Sequence, residues 1–152
     1  MSSVKQGAVN IRPMARSDID AVLALDRKFG KGRSLLSHKD MAIIDPGGPL
    51  DVSFVAEIDG NIIGFVISRL AYIMTPFTEV CMLHSILVDP DYRNRGIGVK
   101  LLGKLVGYCQ DEGINTIRMP VEEDNEELRR FVERLGFRPS KVVNYDKTFE
   151  VE

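Results

Sequence analysis

Apolar and polar residues alternate along some stretches of the chain and recur every three to four residues along others. The switches between the two periods lay out the elements. Val9-Asn10-Ile11-Arg12-Pro13 alternates and ends in proline, which predicts a short first strand. Ser17-Asp18-Ile19-Asp20 then opens a helix, with Ser17 placed to cap it and both aspartates suited to the positive helix end. Ile19, Val22, Leu23 and Leu25 supply its apolar face, and Gly30 stops it. A second helix is expected near residues 34–44, and Asp45-Pro46-Gly47-Gly48-Pro49 is a turn by composition.

The middle of the chain is β-rich. Residues 52–58 run into Asp59-Gly60-Asn61, a tight-turn signal, and residues 62–72 form the return run. A loop at Thr75-Pro76-Phe77 leads to a third run, 80–88, which ends at Asp89-Pro90. Three strands joined by short turns imply an antiparallel meander. The period then lengthens: Gly98, Leu101, Leu102, Leu105 and Cys109 recur at helical spacing, and Gly113 closes that helix. Residues 115–121 read as a strand, and Asp124 with Glu127 as a capping box. Leu128, Phe131, Val132 and Leu135 face inward on the helix that follows, Gly136 ends it, and residues 137–149 hold one or two final strands. The order β-α-α-β-β-β-α-β-α-β(β) predicts a single mixed α/β domain over residues 1–152, its core spanning about 9–149.

Composition narrows the class. The 152 residues are 44% hydrophobic and 28% charged, values of an ordinary globular chain with a full-sized core. A net charge of −2 argues against a generic nucleic-acid binder. No apolar run approaches the roughly 18 residues of a membrane span, and the first residues lack a signal-peptide core, so a cytoplasmic protein without membrane contact is expected. Cys81 and Cys109 sit in apolar segments as reduced core thiols, and His38 and His84 are far apart, so spacing assembles no metal site.

The chemistry lies in Val88-Asp89-Pro90-Asp91-Tyr92-Arg93-Asn94-Arg95-Gly96-Ile97-Gly98-Val99-Lys100. This is a strand end, a loop with two arginines, and a glycine pair opening a helix. Helix N-termini present unpaired N–H groups and a positive dipole end, which suit phosphate. Gly96 and Gly98 let an anion approach the backbone, no proline interrupts the amides from Asp91 to Val99, and Arg93 and Arg95 add forked donors. A P-loop would need Lys-Ser/Thr directly after Gly98, and a dinucleotide fingerprint a third glycine where Leu101 stands, so both fail.

Arg93-x-x-Gly96-x-Gly98, after Val88-Asp89-Pro90 and before an amphipathic helix, resembles the acyl-CoA pyrophosphate motif of the GNAT superfamily of N-acyltransferases. The resemblance extends over roughly residues 9–140. Ile11-Arg12-Pro13 resembles the family's opening strand, Val55-Ala56-Glu57 with Gly64-Phe65 its central hairpin, and Asp124-Asn125 through Glu133-Arg134-Leu135-Gly136-Phe137 its second CoA-contacting helix. It implies a GNAT fold: a mixed central sheet with an antiparallel N-terminal meander, splayed between strands four and five, and flanked by about four helices. It also implies acetyl-CoA as cosubstrate, with Arg93, Asn94, Arg95, Gly96, Ile97, Gly98, Val99 and Lys100 on its diphosphate. Ile86, Leu87 and Val88 would lie beside the pantetheine arm, and Asn125 would make a further contact unless it only starts its helix. The acceptor would be a primary amine of a small molecule or a protein. Dimers are common among relatives, so a homodimer is a further expectation. No nucleic acid or metal is implied.

Acetyl transfer to an amine requires a neutral nucleophile, and an ordinary amine of pKa about 10.4 is protonated at pH 7. A base or water chain must take that proton, and the developing oxyanion needs a donor. In the family the donor is an amide at a bulge of the fourth strand, here Leu87 or Val88. Two positions depart from the family: Val132 stands where relatives often carry a tyrosine acid, and Met82 where many carry a glutamate base. Substitutes are His84, which shares strand parity with Met82, Glu79 acting through water, and Tyr145 on a late strand. Each also has a plain structural reading as a packed or solvated residue. The two departures keep a second function open, a non-catalytic acyl-CoA-binding sensor or regulatory module.

Overall fold

A computed structural model of the chain describes residues 7–30, 36–74 and 77–152. The chain divides into two compact units, Met1–Pro120 and Val121–Glu152. The first holds a five-stranded sheet whose spatial order follows the chain: β1 Asn10–Pro13, β2 Phe54–Ile58, β3 Asn61–Met74, β4 Phe77–Val88 and β5 Ile117–Arg118. β1 to β4 are antiparallel, and β5 runs parallel to β4. A parallel neighbour needs a crossover, which α3 Ile97–Asp111 provides. Helices α1 Ile19–Phe29 and α2 His38–Ile44 fill the connection from β1 to β2. This is the mixed α/β sheet with an antiparallel meander that the periodicity predicts.

Alternation along β3 sends side chains to two layers. Phe65 and Ile67 join Val55, Val22, Leu23 and Met41 in a core beneath α1 and α2. The opposite layer is covered by α3, which buries Ile97, Leu101, Leu105 and Cys109 at four-residue spacing. Gly64 leaves little room for a side chain there. A Cβ on it would lie 3.1 Å from the Leu87 carbonyl oxygen and 3.5 Å from Leu101 and Val88 carbons.

Several local expectations are corrected. Ser17 does not cap α1. A single 3-10 turn, Arg16–Asp18, precedes the helix, and Asp18 accepts the Ala15 N–H at 2.7 Å. Asp18 is buried and also takes a forked pair of hydrogen bonds from Arg12, at 2.8 and 2.9 Å, while Arg12 bonds Glu57 at 3.0 Å. This network ties β1, the turn and β2 together, and the Arg12 bonds hold the Asp18 carboxyl below its ordinary range. The second helix begins at His38, capped by Ser37, and Ser34 lies outside the described residues. Of the expected loop, Phe77 belongs to β4, and Thr75 and Pro76 lie outside the described residues.

In the second unit, α4 Glu126–Arg134 is capped by Asn125 rather than Asp124: the Asn125 side chain accepts the Leu128 N–H at 3.2 Å. The expected strand at 115–121 shrinks to the two residues of β5, and residues 137–149 form no strand. A β-prone run becomes a strand when a neighbouring edge takes its hydrogen bonds, and the five-stranded sheet does not include this one.

Candidate active site

The end of β4 and the start of α3 are joined by an eight-residue loop, and the hydrogen bonds show which of its amides remain available. Asp89 caps a 3-10 turn, Pro90–Tyr92, by accepting the Asp91 N–H at 2.9 Å. The Tyr92 N–H donates to the Asp89 carbonyl and the Arg93 N–H to Pro90. These three amides are therefore committed to the loop itself, which corrects the expectation that every amide from Asp91 onward can donate. The chain then turns through two left-handed residues, Asn94 at φ 64° and Gly96 at φ 73°. Gly96 reaches that conformation without the steric cost a Cβ would bring. The first intrahelical bond of α3 is Lys100 N–H to Gly96, at 2.9 Å. The amides of Ile97, Gly98 and Val99 thus occupy the first turn without an intrahelical carbonyl, at the positive end of the helix. Arg93, Asn94, Arg95 and Lys100 are exposed around them, and the Arg95 guanidinium lies 5.1 Å above the Tyr92 ring. The arrangement suits a polyanion.

The neighbouring strand end offers an extended backbone that pairs with β3 on one side and has no β5 partner on the other. β5 pairs with β4 at Cys81 and Met82, so the six residues after Met82 have no β5 partner. The ladder decides which of their amides face that gap. Asp89 N–H donates to Ile63 at 2.8 Å on the β3 side, and opposed pairs in an antiparallel ladder alternate between bonded and non-bonded. Leu87 and Ser85, opposite Phe65 and Ile67, therefore point their amides into β3, and Ile86 and Val88 point theirs into the gap. Of the two amides expected to serve an oxyanion, only Val88 faces outward. Leu87 instead packs its side chain against the α1 core.

The β4 bulge falls earlier than expected. Ile67 pairs with Ser85 and Ser68 with Leu83, so His84 is the extra residue. A bulge changes which face each following residue occupies, and it leaves the His84 side chain exposed rather than packed in the sheet. Desolvation by its surroundings, and then the positive charge of Arg69, lower the pKa of the ring from its ordinary value. The imidazole is neutral at pH 7, the state a base requires. Arg69 is opposite Met82 on β3 and was not singled out by the sequence; its cross-strand position follows from the register alone.

Two other candidates fare differently. Glu79 lies opposite Tyr72, nine residues before Val88 on one continuous strand. At about 3.3 Å per residue that is a separation of roughly 30 Å along the strand, more than twice that of His84, so Glu79 is the more remote of the two. Tyr145 is on no strand, and it is 96% exposed. The Asn125 side-chain Oδ1 is occupied as a helix cap, accepting the Leu128 N–H. Cys81 and Cys109 are free, buried and next to each other; burial raises both thiols, that of Cys109 to about 12. Neither is poised as a nucleophile. Among the described residues, no three His, Cys, Asp or Glu side chains gather as metal ligands, and no helix is long and apolar enough to cross a membrane.

Comparison with known proteins identifies the family and the fold. The model of the acetyltransferase (GNAT) family matches residues 23–137. An uncharacterized N-acetyltransferase of Methanocaldococcus jannaschii is 37% identical over 94 residues, which is 61% of this chain and 42% of that protein. The chain spans less than half the length of the curated relatives it matches first. Among solved structures, an aminoglycoside N-acetyltransferase in complex with CoA has a TM-score of 0.77 at 21% identity, covering 97% of this chain and 99% of that one. The ribosomal-protein-S18-alanine N-acetyltransferase of Escherichia coli has a TM-score of 0.72 at 23% identity, covering 88% and 80%. At such identities the likeness is one of fold.

Proposed function

The chain belongs to the acetyltransferase (GNAT) family, and from that premise we propose that it is an acetyl-CoA-dependent N-acetyltransferase acting on a primary amine of a small molecule or protein by direct attack in a ternary complex. One observation carries the reading: outward-facing amides at Ile86 and Val88 lead, through a short loop, to the donor-rich first turn of α3. An extended polar arm ending in a diphosphate is complementary to that pair of features. The Ile97, Gly98 and Val99 amides hold the diphosphate, with Arg93, Asn94, Arg95, Gly96 and Lys100 around it. The β4 backbone at Ile86 and Val88 orients the arm. The Val88 N–H stabilises negative charge on the carbonyl oxygen, and His84 accepts the amine proton through water. The thiolate of CoA leaves without a dedicated acid, an omission that costs at most roughly 10²–10⁴ in rate.

The decisive experiment incubates the protein with acetyl-CoA and a broad panel of amines and peptides, reading free thiol and acetylated product by mass spectrometry. Product on any acceptor supports the proposal. Tight CoA binding with no product across the panel overturns it in favour of a non-catalytic acyl-CoA sensor.

A further inference from the structure

The turn after α2 leaves one charge without a counter-charge. Asp45 ends that helix in the left-handed region, and Pro46-Gly47-Gly48-Pro49 carries the chain on toward β2. Between this turn, the end of α2 and β3 lies a cavity of about 210 Å³, whose lining includes Ile43, Ile44, Leu50, Asp45, Asp51 and Arg69. Its two carboxylates are already engaged. Asp45 accepts from Arg16 at 2.9 Å, and Asp51 accepts from the Gly47 N–H at 3.0 Å and the Ser53 hydroxyl at 2.6 Å. Arg69 is not. Among the described residues it has no ion pair, and its guanidinium makes one long hydrogen bond, 3.4 Å to the Ile43 carbonyl oxygen. A guanidinium offers five donors in a fork that matches a carboxylate. A cation in a partly apolar cavity, with the neighbouring carboxylates spent, selects an anionic, planar group.

The sheet puts this cation on the side of the reacting centre. Arg69 shares strand parity with Phe65 and Ile67, which point to the layer of α1 and α2, and it is opposite Met82. Its charge reaches the His84 ring, two residues farther along β4. Ile86 and Val88, whose amides face the gap, are opposite Val66 and Gly64, three and five residues from Arg69 along β3. At about 3.3 Å per residue, the cation is about 10–17 Å from where the acceptor amine attacks. An extended peptide covers that span with three to five residues, at about 3.3–3.6 Å each. A free amino acid is too short, and a polycationic amine has the wrong charge for the cavity.

Resting on the transferase reading above, we infer that the acceptor is peptidic: its α-amine reacts at β4 while a carboxylate three to five residues along it docks on Arg69. The size of the cavity agrees. Whole small-molecule sites run to about 300–1,000 Å³, so a smaller one takes a single side chain or a chain end. Ile44 and Leu50 offer apolar surface to the short stem that precedes the carboxylate. An acidic side chain and a C-terminus present the same chemistry to Arg69.

Six-residue peptides with a free N-terminus and an amidated C-terminus test the inference. Each carries Glu, Gln or Lys at position 3, 4 or 5 of an otherwise uncharged sequence. A second arm compares uncharged peptides of three to five residues as free acids and as amides. With acetyl-CoA at pH 8, kcat/KM for the acidic peptide of at least one arm should exceed that of its neutral counterpart by roughly 10- to 10²-fold, the scale of hydrogen bonds to a charged group. The arm that shows the preference identifies the source of the carboxylate. Arg69→Gln should bring the ratio close to one, and Arg69→Glu should make Lys the preferred residue. Losing the Arg69 charge near His84 acts on every peptide alike and cancels in the ratio. In the wild type alone, the acetylated product of the preferred acidic peptide should inhibit about tenfold more strongly than its neutral counterpart. Equal turnover of acidic and neutral peptides in both arms, or a preference that Arg69→Gln leaves intact, overturns the inference. Equal inhibition by the two products overturns it even where the Arg69 variants fail to fold. Product on non-peptide amines alone overturns it and leaves the transferase reading standing, whereas no product on any acceptor overturns both.

Discussion

Placing a carboxylate in the first turn of α3 separates the two roles of that turn, because its effects on folding and on binding have opposite signs. Gly96 is the cap and Ile97 the first helical residue, so Gly98 is the second. An aspartate there faces the positive helix end and favours the helix by about 0.3–1 kcal/mol, and it removes a flexible glycine. The thermal midpoint of Gly98→Asp should hold or rise. The same carboxylate stands among the amides assigned to the diphosphate. At a separation of about 5 Å and an effective dielectric near 20, repulsion amounts to about 3 kcal/mol per phosphate charge, or roughly 10²-fold in affinity. Gly98→Asn adds nearly the same bulk without charge and should lose far less. Titration calorimetry with acetyl-CoA at low and high salt measures both, and the gap between Asp and Asn should narrow as salt rises. Equal affinity of wild type and Gly98→Asp would refute the diphosphate assignment. Equal damage from Asn and Asp would show that space, not charge, governs the turn.

Other consequences can be measured separately. The acidic limb of kcat/KM should fall below the ordinary imidazole value of about 6.5, should move up in Arg69→Met, which removes the neighbouring charge, and should vanish in His84→Gln; a limb unmoved by either variant removes His84 as the base. Asp18→Asn should cost about 2–3 kcal/mol in urea unfolding at pH 7, the scale of hydrogen bonds to a charged group. Because the folded Asp18 pKa is depressed, the native contribution is complete above the unfolded carboxyl range and disappears as pH falls through the folded value. The deficit of the variant should therefore shrink below about pH 4, and a constant deficit would locate the loss in packing. Finally, Cys81 and Cys109 should resist a thiol reagent at pH 8 in the native protein and react fully in denaturant; rapid native labelling would contradict their burial.

Local chemistry was enough to read the parts of this protein whose causes lie within a few residues. The period change between the meander and the helix beginning near Gly98 follows from where apolar side chains recur, and the donor-rich turn proposed to bind the anion follows from a strand end, two glycines and a helix start. The α4 cap is Asn125, one residue beyond the Asp124 that the sequence suggests, because both are competent caps and the backbone path chooses between them. Register was not legible at all. Nothing local to β4 marks His84 as the bulged residue; the offset is set by pairing with β3, and it decides which face His84 takes and that Val88, not Leu87, turns its amide outward. The same holds for Glu79, whose distance from Val88 depends on β4 running unbroken as a twelve-residue strand. It holds again for residues 137–149, whose β-prone pattern is satisfied or left open according to the edge available. Side-chain periodicity is a property of the segment, but hydrogen-bond direction and strand partnership belong to pairs of segments, so only the assembled sheet decides them.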